Sequence, residues 1–240
     1  MTAAAITAIP GQVPTSLAHV FGREWESRSR SHSAPVVFVV DNDISVRESL
    51  ESLIRGEGWQ PETFPSARDF LTRPRPLVPS CLIVDLALPD LTGLELQKII
   101  AQERAEMPII FISGCGDIPT TVRAMKAGAV DFLVKPFGNE LLLRAIREGL
   151  DRSRVALDHE VELGALRNSY LSLTPRERQV MSLVVSGLLN KQVGGELGIS
   201  EITVKAHRGQ VMRKIKARSL ADLVRMAARL RPARQTIHWA

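Results

Sequence analysis

The sequence predicts an α/β doubly wound domain, a five-stranded parallel sheet of order 2-1-3-4-5, joined by a linker helix to an all-α, four-helix domain with a helix-turn-helix. Three observations predict it. Between residues 34 and 150, short uninterrupted apolar runs alternate with stretches of helical period, the pattern of strands covered on both faces. Beyond Leu150 no strand candidate occurs, and helix-capping signals take over. The charge divides at the same place: residues 34–150 carry 12 basic and 16 acidic side chains, residues 151–240 carry 16 and 8.

Residues 1–33, rich in Ala, Thr, Ser, Pro and Gly around Arg28-Ser29-Arg30-Ser31, show no sustained period and are expected to be a disordered extension. Strands are expected at 36–40, 60–64 (the weakest), 81–84, 109–112 and 130–134, with helices at 45–55, 67–71, 94–102, 119–127 and from Asn139 onward. Leu143, Ile146, Leu150 and Leu157 carry the fifth helix onward as a coiled-coil-like connector, with Ser153 breaking the apolar register. The expected boundaries are thus 34–150 for the first domain, 151–172 for a helical linker and 173–240 for the second.

Thr174-Pro175-Arg176-Glu177 is a capping box with proline at the first helical position, so a helix starts there and ends before Gly187. Asn190 is expected to cap a short helix to Leu197, in which the adjacent Gly194 and Gly195 cost about 2 kcal/mol relative to alanine. Gly198-Ile199-Ser200 supplies a glycine to end that helix and a serine to cap the next, over 201–216, and a last amphipathic helix covers 219–230.

Composition excludes several classes. At 240 residues, 45% apolar and 24% charged, the chain is no disulfide-stapled miniprotein, and no apolar run approaches the ~18 residues of a membrane span. Two distant cysteines, Cys81 and Cys115, and no secretory leader pattern point to a reducing cytoplasm. Cys81, at a strand start, reads as core; Cys115 reads as a small residue beside the expected site.

In an open parallel sheet the chemistry sits at the carboxyl ends of the strands. Leaving those ends are Asp41, Asn42 and Asp43, then Asp85, Ser113 and Lys135-Pro136. Carboxylates, a hydroxyl and a lysine on one rim suit a hard divalent cation such as Mg2+, one carboxylate acting as nucleophile toward a phosphoryl donor while lysine and hydroxyl hold the transferred group.

The stretches Val37 to Asp43, Ile83-Val84-Asp85, Leu88-Pro89-Asp90-Leu91-Thr92-Gly93, Ser113-Gly114 and Lys135-Pro136-Phe137 resemble the receiver domain of bacterial two-component response regulators. The resemblance implies that Asp85 is the phosphoacceptor, Ser113 the switch hydroxyl, Lys135 the phosphoryl-binding lysine and Phe132 the aromatic that reports phosphorylation. It also implies metal ligation by Asp41, the Asn42 position, Asp85 and the Ala87 backbone carbonyl. Asn42 departs from the pattern, which has an acidic residue there; the amide lowers the formal site charge from about −3 to −2, so weaker Mg2+ binding is expected, with Asp43 a substitute donor. Small residues at Ala87 and Cys115 are expected to leave the phosphoryl group open to water.

Residues 173–240 hold 13 basic and 4 acidic side chains, a balance that favours phosphate contact. On a projection of 201–216, Val204, His207, Val211 and Ile215 share one arc, making His207 a packing residue, while Lys205, Ala206, Gly209, Gln210 and Arg213 share the other. The block Leu173 to Arg178, with Gly187-Leu188, Asn190-Lys191, Leu197 to Ser200 and Thr203 to Arg208, resembles the LuxR-type helix-turn-helix. With the receiver it makes the chain similar to NarL/FixJ-type response regulators, FixJ-like and StyR-like. The resemblance implies base-facing Lys205, Ala206 and Gly209, phosphate or turn contacts from Thr203, Asn190 and Lys191, and a dimer element in the last helix at Leu220, Leu223, Val224 and Ala227. Geometry adds Arg208 and Arg213 to the DNA-binding set.

The expected function is a DNA-binding transcriptional regulator phosphorylated on Asp85 by a sensor histidine kinase, dimerising through the face around the fourth helix and fifth strand, and engaging promoter DNA and RNA polymerase. The alternative raised by Asn42 is a regulator that acts independently of phosphorylation. A Mg2+-dependent phosphohydrolase is disfavoured because no substrate-lid insertion is evident. A pheromone-binding regulator is disfavoured because only 11 residues are aromatic.

Overall fold

The computed structural model describes residues 34–74 and 77–230; the expected disordered extension, 1–33, lies outside them. The first unit alternates β1 (Val36–Val40), α1 (Ile44–Gly56), β2 (Gln60–Phe64), α2 (Ala67–Thr72), β3 (Ser80–Asp85), α3 (Gly93–Glu103), β4 (Ile109–Ser113), α4 (Ile118–Lys126) and β5 (Asp131–Val134). All strand pairs are parallel, in the order β2-β1-β3-β4-β5. Of the strands that read as continuous apolar runs, β1, β3 and β4 are buried on both faces, while β5, at the sheet edge, leaves Val134 exposed. Val37, Val39, Ile83 and Ile110 pack with Leu50 and Ile54 of α1 on one side; Phe38, Val40, Val84 and Phe111 pack with Phe70, Leu96 and Ala124 on the other. β2 gave the weakest signal because it is an edge strand, half-exposed and carrying Pro61, which an edge tolerates.

Helix α5 runs unbroken over Asn139–Leu171, and the chain divides into two compact units between Leu157 and Asp158, inside it. Ser153 interrupts the apolar spacing for a reason the spacing could not show: it is buried, and its hydroxyl accepts the Ser80 N–H at 3.1 Å.

The second unit adds α6 (Pro175–Val185), α7 (Asn190–Leu197), α8 (Glu201–Ile215) and α9 (Leu220–Leu230) around Val180, Val184, Val193, Val204, Val211 and Leu223. The Thr174 capping box forms as expected, and Ser200 caps α8 through the Thr203 N–H. Asn190 is not the cap of α7: Leu189 holds that position, and Gln192 reaches back to accept the Leu189 N–H at 2.8 Å. Gly194 has a packing reason, since a Cβ there would lie 2.7 Å from the Ile199 carbonyl oxygen; one at Gly195 would meet nothing. Among the described residues no helix is long and apolar enough to cross a membrane.

Candidate functional site

The parallel register brings the ends of β1, β3, β4 and β5 to one rim. Asp41 is fully buried; one carboxylate oxygen accepts the Asp43 N–H at 2.8 Å and the other meets the Lys135 ammonium at 2.7 Å. Lys135 reaches Asp85 at 3.7 Å, so its single charge faces both carboxylates. Burial holds the Asp85 carboxyl above the ordinary aspartate range; Lys135 opposes that rise and Asp41 adds to it. A second cationic group, which sequence reasoning missed, stands by: Arg47 on α1 donates to the Asp41 carbonyl at 2.8 Å.

The loop that follows Asp85 is held tightly. A Cβ on Gly93 would lie 2.9 Å from the Phe111 ring and 3.0 Å from the Asp85 carbonyl oxygen, so only glycine lets α3 approach the acceptor this closely. Asp90 reaches across to accept the Arg68 N–H at 2.8 Å at the start of α2.

Ser113 ends β4, next to Asp85, but its hydroxyl donates to the Cys115 carbonyl at 2.6 Å within its own loop; its backbone carbonyl accepts the Lys135 N–H at 2.7 Å. Phe132 is half-buried, 6.1 Å from Phe111 between ring centroids. Asn42 and Ala87 lie exposed on the rim. One oxygen of the exposed Asp43 carboxylate accepts the Ser45 N–H at 2.8 Å, capping α1. Cys81 is buried in the core, where burial pushes its thiol up, and Cys115 is exposed.

The chemistry of the donor set suits a hard divalent cation: two carboxylates sharing one ammonium, with an amide and a backbone carbonyl from the exposed residues Asn42 and Ala87, all oxygen. Among the described residues no group of three or more Asp, Glu, His or Cys side chains is placed to hold a metal ion.

In the second unit the expected DNA residues divide. Lys191, Lys205, Ala206, Gly209 and Arg213 are exposed, Thr203 is half-buried, and His207 is half-buried on the packing side. Lys205 pairs with Glu201 at 3.0 Å, and the half-buried Arg208 donates to the Asn190 amide oxygen at 3.2 Å, tying α8 to α7. Two contacts escaped sequence reasoning. Lys214 meets the buried Glu177 at 2.7 Å, locking α8 to α6, and Arg176 donates to the Leu197 carbonyl at 2.6 Å, closing the end of α7. Leu223, expected on the dimer face, is fully buried in the unit's own core, leaving Leu220 and Val224 exposed on α9.

Fold and site together define a class: a receiver-type unit with an acidic, lysine-bearing rim, coupled in one chain to a helix-turn-helix. Residues 37–147 match the response regulator receiver domain and residues 171–227 the family described as bacterial regulatory proteins, luxR family. Nodulation protein W of Bradyrhizobium diazoefficiens is 51% identical over 210 residues, covering 86% of this chain and 92% of that protein. Response regulator protein TodT of Pseudomonas putida is 45% identical over 204 residues, covering 85% and 90%. The solved structure of response regulator StyR is 47% identical with a TM-score of 0.70, covering 82% of this chain and 99% of that one. The chain belongs to the NarL/FixJ-type response regulators and is a DNA-binding transcriptional regulator.

Proposed function

We propose that Asp85 accepts a phosphoryl group from a sensor histidine kinase and that this controls dimerisation and promoter binding. The observation that carries the reading is the Lys135 ammonium set against both Asp41 and Asp85, at 2.7 and 3.7 Å. Asp85 attacks the phosphorus of a phosphohistidine; the P–N bond breaks, a P–O bond forms, and the imidazole leaves with a proton. Lys135 then pairs with the phosphoryl oxygens and the Ser113 hydroxyl turns from the Cys115 carbonyl to donate to them. The turn of Ser113 empties space toward which the Phe132 ring moves. Asp41, Asn42, Asp85 and the Ala87 carbonyl would hold Mg2+, which when bound supplies positive charge against the carboxylates and the phosphoryl oxygens. Self-phosphorylation and its reversal are the only chemistry this reading assigns.

Dimerisation follows on the face of α4 and β5, where Ile118, Val122, Met125 and Val134 are exposed and the first three form one helical row. The paired second units insert α8 into successive major grooves: Lys205, Ala206 and Gly209 face bases, and Asn190, Lys191, Thr203, Arg208 and Arg213 face backbone or groove edge. RNA polymerase is the downstream partner, and the compartment is the cytoplasm.

The test is incubation with Mg2+ and acetyl phosphate, read on a phosphate-affinity gel. A shifted band in the wild type and none in Asp85→Asn is expected. Asn42 favours a second reading, a regulator indifferent to phosphorylation. Under it no shift is seen at any Mg2+ concentration, and Asn42→Asp changes neither dimerisation nor DNA affinity.

A further inference from the structure

Ile202, in the first turn of α8, is 80% exposed, the most exposed large apolar side chain among the described residues. The helical repeat places it opposite the buried stripe of Val204, Val211 and Ile215, in one straight row with Ala206, Gly209 and Arg213. That row is the outermost line of the helix. Ala206 and Gly209 keep it low, a Cβ on Gly209 would meet nothing, and Ile202 is the one branched apolar group standing on it. Its flanks are polar: Glu201 and Lys205 pair with each other at 3.0 Å to one side of it. A bare isoleucine there costs solubility and gains nothing within its own unit, so its partner is a groove surface that offers a methyl group.

We infer that Ile202 is a specificity-determining residue that reads a thymine through its 5-methyl group in the major groove, beside the base contacts of Lys205 and Ala206. The major groove presents one apolar feature, the thymine methyl, and apolar side chains are its natural partners. The inference rests on α8 being the groove-reading helix and adds a base preference to it. Because Ile202 touches none of the unit's core, its replacement leaves the fold intact.

The experiment is selection of binding sites from a random duplex library by the full chain, wild type and Ile202→Ser, with Mg2+ and acetyl phosphate present. The wild type is expected to enrich a thymine at a half-site position where Ile202→Ser shows no preference, and Ile202→Val to restore it. Replacing that thymine by uracil in the selected duplex removes only the methyl group; a loss of about fourfold is expected for the wild type, the scale of one buried methyl, and none for Ile202→Ser. Identical motifs, or an equal uracil effect in both proteins, overturn the inference, and identical motifs combined with lost promoter activation assign Ile202 to a protein contact instead. If neither protein enriches any sequence, the reading of α8 itself fails.

Discussion

At the scale of the residue, one ion pair shows how a local signal acquires a second purpose. Glu177 was legible as the third helical residue of a capping box, and it does accept the Thr174 N–H at 2.8 Å. Its burial, and the Lys214 ammonium at 2.7 Å, were not legible, because Lys214 lies 37 residues away. The Lys214 hydrogen bond, followed by the Thr174 N–H, holds the Glu177 carboxyl below the ordinary glutamate range. A depressed folded-state pKa adds stability that is fully present above the unfolded value, about 4.3, and is lost as pH falls through the folded one. Glu177→Gln should therefore lower stability by about 2 kcal/mol at pH 7. The gap to the wild type should shrink below the unfolded pKa, as followed by urea denaturation of the full chain across pH. A gap unchanged down to pH 3 contradicts the assignment.

At the scale of the element, three glycines with the same intrinsic cost have different fates. Gly194→Ala should destabilise the second unit, because its Cβ would sit 2.7 Å from the backbone carbonyl of Ile199, which cannot yield cheaply. Gly195→Ala, one residue on, meets nothing and should stabilise α7 by up to about 1 kcal/mol. Gly209→Ala is equally free in the protein and should stabilise α8 by a similar amount. If the α8 backbone approaches DNA at that point, the same change weakens promoter affinity, so stability and binding move in opposite directions. Thermal melts and DNA titrations on the three variants separate the cases; a Gly209→Ala protein that is both more stable and equally tight removes Gly209 from the contact surface.

At the scale of the whole molecule, exposed apolar surface is divided between the units. On the receiver, Ile118, Val122 and Met125 form a row on α4 beside Val134 of β5. Val122→Glu places a charge in that row. Sedimentation should show the wild type gaining mass on treatment with acetyl phosphate and the variant remaining monomeric, with the gel shift of Asp85 undiminished in both. Loss of the gel shift in Val122→Glu would mean that the face serves the fold instead of assembly. DNA affinity, which draws on a basic second unit, should fall steeply as salt rises, because phosphate neutralisation releases counterions.

By itself the sequence determined the five strands, the capping box at Thr174 and the Ser200 cap, and the rim occupied by Asp41, Asp85, Ser113 and Lys135. Each is a local pattern: a buried parallel strand must be apolar throughout, a helix start must satisfy its free N–H groups, and strand ends fall on one edge of a parallel sheet. The edge strand β2 and the cap of α7 were harder to read, since Pro61 and Leu189 are not the residue types those positions ordinarily favour. Only the tertiary structure decided which charges meet and which apolar groups stay bare. Lys135 finds Asp41 from 94 residues away, Lys214 finds Glu177, Leu223 disappears into the core, and Ile202 does not. Periodicity orders side chains around one element's axis, whereas burial and ion pairing depend on the distance to another element, which folding alone sets.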